Sequence, residues 1–75
     1  MRLSIEQLQS FIKAAKCGSF SQAARELNKA QSVVSTHIQA LEDQLDYELF
    51  NRGHKITLTK RGQILLNHAK EIVEA

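Results

Sequence analysis

The sequence predicts a mainly α-helical domain made of four helices and one small β-hairpin. Apolar residues recur at helical spacing along four stretches, and capping or stop residues separate these stretches. The apolar period changes from helical to alternating only between residues 49 and 58, where a hairpin fits. A chain of 75 residues forms one domain with a small core.

Cysteine content and the N-terminal sequence indicate the compartment. The single cysteine, Cys17, cannot form an internal disulfide, and no N-terminal apolar run precedes a small-residue cleavage site. We therefore expect a cytoplasmic protein without a membrane-spanning segment. Cys17 is interpreted as a small, partly buried residue at a helix end, since no activating base lies near it in sequence.

The first predicted helix covers about residues 5–17. Ser4 and Gln7 have the spacing of a capping box, and Gly18 is a stop signal. The apolar residues of this stretch recur at helical spacing: Ile5, Leu8, Phe11, Ile12 and Ala15.

The second predicted helix is only about two turns long. Either Ser19 or Ser21 can cap it, and Asn28 tolerates the left-handed conformation that ends a helix. Ala23 and Ala24 would allow another helix to approach closely, although they are also simply good helix formers.

The third predicted helix, QSVVSTHIQALEDQL, covers residues 31–45 and contains no lysine or arginine. At about 100° per residue, its buried stripe consists of residues within about 40° of Val34. The other members of that stripe are Ile38, Leu41 and Leu45, and the opposite face carries Ser32, Ser35, Thr36 and Gln39. A short turn between two helices, the second of them polar on its outward face, predicts a helix-turn-helix. The second helix would enter the major groove of DNA.

Charge is distributed unevenly around this helix. The chain has a net charge of +2, but residues 30–51 contain four acidic residues and no basic ones, so the remainder carries +6. Basic residues flank the helix on both sides, which suits a polyanion gripped at its edges, although charge alone also fits a solvated surface. These flanking residues are Arg25, Lys29, Arg52, Lys55, Lys60 and Arg61.

The stretch ELFNRGHKITLTKRG predicts a hairpin that forms a wing. Ile56 and Leu58 alternate with threonines, and Gly53 with His54 offers a two-residue turn. Residues 52–55 would reach phosphates or a minor groove from the hairpin tip, through Arg52, His54 and Lys55. An ordinary solvated turn is the alternative.

The fourth predicted helix begins after a Thr59 cap and has a broad apolar face. We predict that this face forms a homodimer and that residues 59–75 are a linker and dimerisation helix following a DNA-binding domain of residues 1–58. No stop signal follows Ala75, so we expect the sequence to be part of a longer protein. The apolar face consists of Leu65, Leu66, Ala69, Ile72 and Val73.

The run SFSQAARELNKAQSVVSTHIQALEDQLDYELFNRGHKITLTKRG, residues 19–62, resembles the N-terminal winged helix-turn-helix of LysR-type transcriptional regulators. That family typically shows S-F-S/T-x-A-A, later S-x-x-I-x-x-L-E and L-F-x-R, and then a basic wing, L-T and a glycine. The resemblance implies a three-helix core, a hairpin wing and a linker helix. It also implies a dimeric or tetrameric bacterial regulator of pseudo-palindromic double-stranded DNA, with a small-molecule effector bound only by a C-terminal domain that this sequence lacks.

The resemblance further implies which residues meet DNA. Its recognition-helix positions correspond to Gln31, Ser32, Ser35 and Thr36, and the geometry of the helix adds Gln39. Ser21 and Arg52 correspond to positions that contact the DNA backbone, and Lys55 belongs to the wing; Lys29 and His54 join them on charge and position.

The sequence departs from the family pattern at four places. Ala30 replaces the usual Ser or Thr that caps the third helix, which leaves Gln31 or Ser32 as weaker cap candidates. Thr36 stands where arginine is common, Asp46 replaces a glycine, and the wing is about one residue short.

A helix without basic side chains can still read DNA. Its N-terminus presents free amides and about half a positive charge, Gln31 can bond an adenine edge in two places, and the Thr36 methyl can touch a thymine methyl. His37, about 60° from the buried stripe, is interpreted as covering the core edge rather than contacting bases.

Other function classes fit less well. The three histidines and Cys17 are scattered, without metal-ligand spacing or a glycine-rich phosphate loop, so we expect no enzyme, no metal and no cofactor. A helical protein interaction module that does not bind DNA is the remaining alternative, favoured by the apolar fourth helix and the low net charge.

Overall fold

The computed structural model describes residues 4–53 and 55–74 of the chain. Four helices and one hairpin follow one another in the predicted order. None of the described helices is both long and apolar enough to cross a lipid bilayer. The elements are α1 (Ile5–Cys17), α2 (Phe20–Leu27), α3 (Gln31–Leu45), β1 (Phe50–Arg52), β2 (Ile56–Leu58) and α4 (Lys60–Glu74).

Local capping explains where α1 and α2 begin and end. The Ser4 hydroxyl accepts a hydrogen bond from the Gln7 amide at 3.0 Å, and the Gln7 side chain completes the predicted capping box. Of the two candidate caps for α2, Ser19 is the one that accepts from a helix amide. Gly18 (φ 66°) and Asn28 (φ 60°) adopt the left-handed conformation that ends each helix.

The core is built around α1, which packs against α2, α3 and α4. The predicted stripe of α3 is buried, except that Leu45 is only partly covered. Two edge-to-face aromatic contacts centre on Phe50, whose ring centroid lies 5.6 Å from that of Phe11 and 5.5 Å from that of Phe20. The base of the hairpin is therefore packed against both α1 and α2, which an isolated two-stranded hairpin needs for stability.

The hairpin connection is one residue longer than predicted. Phe50 pairs with Leu58 and Arg52 with Ile56, so residues 53–55 connect the strands and the predicted two-residue turn is wrong. The reason is the register, because Phe50, Ile56 and Leu58 must share the face that packs on the helices. His54 lies outside the described residues.

A second set of contacts fixes the start of α4 against the segment before β1. The Thr59 amide donates to the Leu49 carbonyl at 3.0 Å, and the Thr59 hydroxyl donates to the Glu48 carbonyl at 2.7 Å. That hydroxyl also accepts from the Gly62 amide at 2.9 Å, which confirms Thr59 as the helix cap. A Cβ atom at Gly62 would overlap the Leu49 carbonyl oxygen, so α4 can pass this backbone only because residue 62 has no side chain.

Candidate nucleic-acid interface

A short turn joins α2 to α3 and leaves the first residues of α3 exposed. Ala30 occupies the cap position with extended backbone angles (φ −72°, ψ 147°) and provides no side-chain hydrogen bond. Neither Gln31 nor Ser32 takes over as the cap, since both lie inside the helix and are exposed. The Val33 amide donates to the Ala30 carbonyl at 3.0 Å, so the two amides before it, those of Gln31 and Ser32, are the ones that no side chain caps and that an external acceptor could bind.

One cleft collects predicted DNA contacts from three separate elements. It has a volume of about 350 Å³ and lies between the start of α2, the start of α3 and the hairpin. Ser21 of α2, Gln31 of α3 and Lys55 of the hairpin connection all line it. These residues are up to 34 positions apart in sequence, so the fold brings together groups that the sequence could only assign separately.

The other predicted base-reading residues lie along α3 outside this cleft. Ser32, Thr36 and Gln39 are exposed, whereas Ser35 is half-buried. The amide nitrogen of Gln39 donates to the Asp43 carboxylate at 2.9 Å, which holds the Gln39 side chain along the helix. The outward face therefore offers hydroxyls, amides and one methyl group, and no positive side chain.

Electrostatics distinguish the two ends of α3. Its first half has no acidic side chain, whereas a pocket of about 400 Å³ along its second half is lined by Asp43, Asp46 and Glu48 as well as by Arg52. Phosphates are attracted to the exposed amides at the N-terminus and repelled by carboxylates at the other end. The charge pattern therefore favours insertion of the N-terminal half into a DNA groove.

Arg52 has a partner that the sequence did not reveal. Its guanidinium donates to the Glu42 carboxylate at 2.9 Å and lies 5.8 Å from the centre of the Phe20 ring. Glu42 is only 5% exposed and also accepts from the Leu49 amide at 2.8 Å. Arg52 therefore neutralises the buried Glu42 carboxylate. The predicted contact of Arg52 with a phosphate would have to use the part of the guanidinium that is not bonded to Glu42.

The remaining predicted cations are exposed. Lys29, in the turn before α3, and Lys55, at the cleft, have side chains open to solvent. Arg61 is also exposed, but its guanidinium lies 5.0 Å from the centre of the Tyr47 ring. Arg25 and Lys60 are exposed as well, and only Lys55 of these four cations lines the cleft.

Cys17 lies in a small polar cluster with Glu26 and Lys13. Its thiol donates to the Glu26 carboxylate at 3.2 Å, and Lys13 contacts the same carboxylate at 3.4 Å. Partial burial, and then the hydrogen bond to Glu26, raise the pKa of Cys17 above its ordinary value. The pKa of Glu26 is lowered, first by the hydrogen bond from Cys17 and then by those from Gln22 and Lys13. Cys17 is therefore a poor nucleophile at neutral pH.

The predicted dimerisation face of α4 divides into covered and uncovered residues. Leu66 and Ala69 are 8% and 0% exposed and belong to the core that α4 shares with α1, so the prediction that they face a partner is at odds with their burial. Periodicity places Leu66 and Ala69 on the broad apolar face of α4, but it does not show how much of that face is covered by α1. Leu65 and Val73 are partly covered, and Ile72 is 61% exposed.

Two features were not predicted from the sequence. Glu42 was counted only as one of four acids, although its helical position, about 80° from Val34, already places it beside the apolar stripe. Ser10, which is 2% exposed on α1, bonds His37 of α3 at 2.7 Å. His37 itself lies at the edge of the core as predicted.

Within residues 4–53 and 55–74, no group of three His, Cys, Asp or Glu side chains could hold a metal ion.

Comparison with known proteins gives the same assignment as the geometry. Residues 5–63 match the family model described as bacterial regulatory helix-turn-helix protein, lysR family. The chain is 43% identical over 72 residues to a probable nitrogen assimilation transcriptional activator of Synechocystis sp., and 46% identical over 72 residues to the HTH-type transcriptional regulator GltR of Bacillus subtilis. These matches cover 96% and 95% of this chain but only 23% and 24% of the relatives.

Solved structures resemble the whole arrangement. The crystal structure of the CbnR DBD–DNA complex superposes with a TM-score of 0.90 at 36% identity, covering 95% of this chain and 83% of that chain. The family is one of transcriptional regulators rather than enzymes. The chain belongs to the lysR family of bacterial regulatory helix-turn-helix proteins and is a winged helix-turn-helix DNA-binding domain.

Proposed function

We propose that this domain binds double-stranded DNA sequence-specifically, with the first half of α3 in the major groove and the hairpin on the backbone or minor groove. The observation that carries the proposal is the cleft where Ser21, Gln31 and Lys55 meet beside the uncapped start of α3. It combines a hydroxyl, a side-chain amide, an ammonium group and the backbone amides of Gln31 and Ser32, which no side chain caps; together these groups suit a phosphate at the edge of a groove.

In this proposal the neutral side chains read bases. Gln31 can bond an adenine edge in two places, whereas Ser32, Ser35 and Thr36 offer short hydroxyls to several bases. Gln39 keeps its carbonyl oxygen available while Asp43 binds its amide nitrogen, which favours a base that presents an amino group.

Contacts to the DNA backbone come from outside α3. Lys29, in the turn before α3, and Lys55, in the hairpin connection, are exposed cations, and Ser21 adds a hydroxyl to the cleft that Lys55 lines. Arg52 contributes through the part of its guanidinium that Glu42 leaves open. His54 remains a candidate on sequence grounds alone.

We further propose a homodimer formed through the exposed side of α4. Ile72 is an exposed apolar residue, and Leu65, seven positions earlier, lies on the same side of the helix. A two-fold dimer would place two recognition helices on a pseudo-palindromic operator. The relatives are about four times longer, so we propose that residues 59–75 link a DNA-binding unit of residues 1–58 to an effector-binding domain and that the regulator acts in the cytoplasm.

The first test measures the salt dependence of duplex binding. Lys55→Ala should weaken binding to selected and random duplexes alike and reduce the slope of log affinity against log salt by about one unit, because one phosphate contact is lost. Lys16→Ala makes the same charge change on α1, where Lys16 lines a groove with α4 residues rather than the cleft, and should leave the slope unchanged. Equal slopes for both variants would remove Lys55 from the interface, and salt-independent binding by the wild type would contradict DNA binding itself.

The second test measures oligomeric state. Ile72→Glu should produce a monomer in analytical ultracentrifugation, since a carboxylate would be buried at the proposed interface. Asn67→Glu adds the same charge to α4 about 140° away around the helix and should remain dimeric. A dimer that survives Ile72→Glu excludes this side of α4 from the interface.

A further inference from the structure

We propose that Ser10 and His37 are positioning residues that set the base specificity of the domain without contacting DNA, by fixing the rotation of α3 about its own axis. The proposal rests on the DNA binding proposed above. It assigns a role to a polar pair between α1 and α3 that neither family membership nor the predicted interface explains.

The pair is a short and well-covered contact. Ser10 Oγ lies 2.7 Å from His37 Nδ1, and Ser10 is only 2% exposed. A serine hydroxyl can donate or accept, so the bond forms whichever ring nitrogen of His37 carries the proton. His37 follows Thr36 of the outward face and precedes the buried Ile38, so the bond acts on α3 within its reading half.

Directional polar contacts between α1 and α3 are few among the described residues. The neighbouring interface is apolar, formed by Phe11 and Ala14 of α1 and by the buried stripe of α3. Apolar packing stabilises such an interface but is non-directional, whereas a hydrogen bond has a narrow range of distance and angle. A second polar contact across the pair, between Gln7 and Gln44 at 3.5 Å, lies near the C-terminal end of α3.

Base reading depends strongly on helix rotation. With side chains about 5–6 Å from the axis, a rotation of roughly 20° moves the outward groups by about 2 Å. That shift exceeds the range over which a hydrogen bond to a base edge survives. Lys29 and Lys55 lie outside α3 on flexible side chains, so their phosphate contacts tolerate the same rotation. Loss of the Ser10–His37 bond should therefore reduce specificity and leave general affinity intact.

The experiment compares affinities for two duplexes, one selected from random DNA by the wild-type chain and one of random sequence, at two salt concentrations. In Ser10→Ala and in His37→Leu, the ratio of selected to random affinity should fall roughly fivefold, as expected for about one hydrogen bond. His37→Asn keeps an acceptor close to the Nδ1 position and should retain most of the ratio. Gln63→Ala removes an exposed hydrogen bond within α4 and should change nothing.

A combined variant separates positioning from stability. Ser10→Ala/His37→Leu leaves neither partner unpaired, so its unfolding midpoint should return close to that of the wild type, while its specificity should stay low. All measurements use temperatures at which circular dichroism shows each variant folded. An unchanged affinity ratio in folded Ser10→Ala, or a ratio that recovers together with stability in the combined variant, would overturn the proposal. Absence of salt-dependent duplex binding by the wild type would instead overturn the DNA-binding proposal on which it rests.

Discussion

Gly62→Ala adds one methyl group where α4 passes the backbone of Leu49. That methyl would overlap the Leu49 carbonyl oxygen and lie 3.1 Å from both the carbonyl carbon and Leu58 Cδ2. The obstacle is backbone, and the same carbonyl accepts from the Thr59 amide, so it cannot turn aside without breaking that bond. The start of α4 has to move away from the segment before β1.

The expected cost follows from three contributions. Overpacking of a tight site costs about 1–3 kcal/mol, and loss of the hydrogen bond between the Thr59 hydroxyl and the residue 62 amide adds about 1 kcal/mol. Alanine is a better helix former than glycine, which offsets about 1 kcal/mol. The net loss is about 1–3 kcal/mol, and at about 4–8 °C per kcal/mol for a domain of this size the unfolding midpoint should fall by roughly 4–24 °C.

The other two glycines provide matched controls, measured by thermal and urea unfolding with circular dichroism. A Cβ at Gly53 meets nothing within 4 Å, so Gly53→Ala should be close to neutral. Gly18 also has open space but adopts φ +66°, so Gly18→Ala should cost about 1 kcal/mol through backbone strain alone. If Gly62→Ala proves as stable as Gly53→Ala, the close approach of α4 to Leu49 does not hold the fold together.

Three further outcomes are expected. Arg52→Ala should destabilise the domain by about 1–3 kcal/mol in urea unfolding, because Glu42 stays buried without its cation. Arg52→Ala/Glu42→Gln should recover part of that loss. Equal stability of wild type and Arg52→Ala would show that the ion pair contributes nothing to stability. Iodoacetamide should alkylate Cys17 faster at neutral pH in Glu26→Ala than in the wild type, since removing the carboxylate lowers the thiol pKa and raises the thiolate fraction; an unchanged rate would leave burial as the sole cause. Thr36→Arg should strengthen duplex binding, steepen its salt dependence and add a guanine preference in selected sites, at about 1–3 kcal/mol of discrimination; identical selected sites and affinities would mean that Thr36 does not face DNA.

Helix limits were predictable from the sequence because capping is a local property. Ser4, Gly18 and Asn28 each determine a helix end through their own backbone or through a bond spanning three residues. The family's glycine after Leu45 has a similar explanation, because Asp46 adopts φ 61° at that position. The positive φ also explains why a small polar residue is tolerated there.

Features that depend on distant contacts could not be predicted in the same way. The hairpin register is determined by Phe50, which packs against the rings of Phe11 in α1 and Phe20 in α2. The turn residue Gly53 could not predict this register, because these contacts are distant in sequence. Likewise, the ion pair between Glu42 and Arg52 is visible only in the folded structure. For the candidate interface, periodicity predicted the outward face of α3, and the family resemblance implied the contact residues. The cleft that Ser21, Gln31 and Lys55 line could not be predicted, because it requires three elements to be placed together.

The edge-to-face contacts of Phe50 also bear on the thermodynamics of DNA binding. Because its ring touches Phe11 of α1 and Phe20 of α2, the root of the hairpin and the two helices form one preassembled unit. Because α3 packs against both of these helices, the spacing between the hairpin root and α3 is established when the chain folds, before DNA binds. Association then loses mainly the rotamer freedom of exposed side chains, about 0.5–1.5 kcal/mol for each long one, and little backbone entropy at the hairpin root. Loss of the Phe50 ring would leave the hairpin root less ordered in the free protein. DNA binding would then have to order the hairpin root, so the affinity for DNA would fall although Phe50 itself is buried in the core.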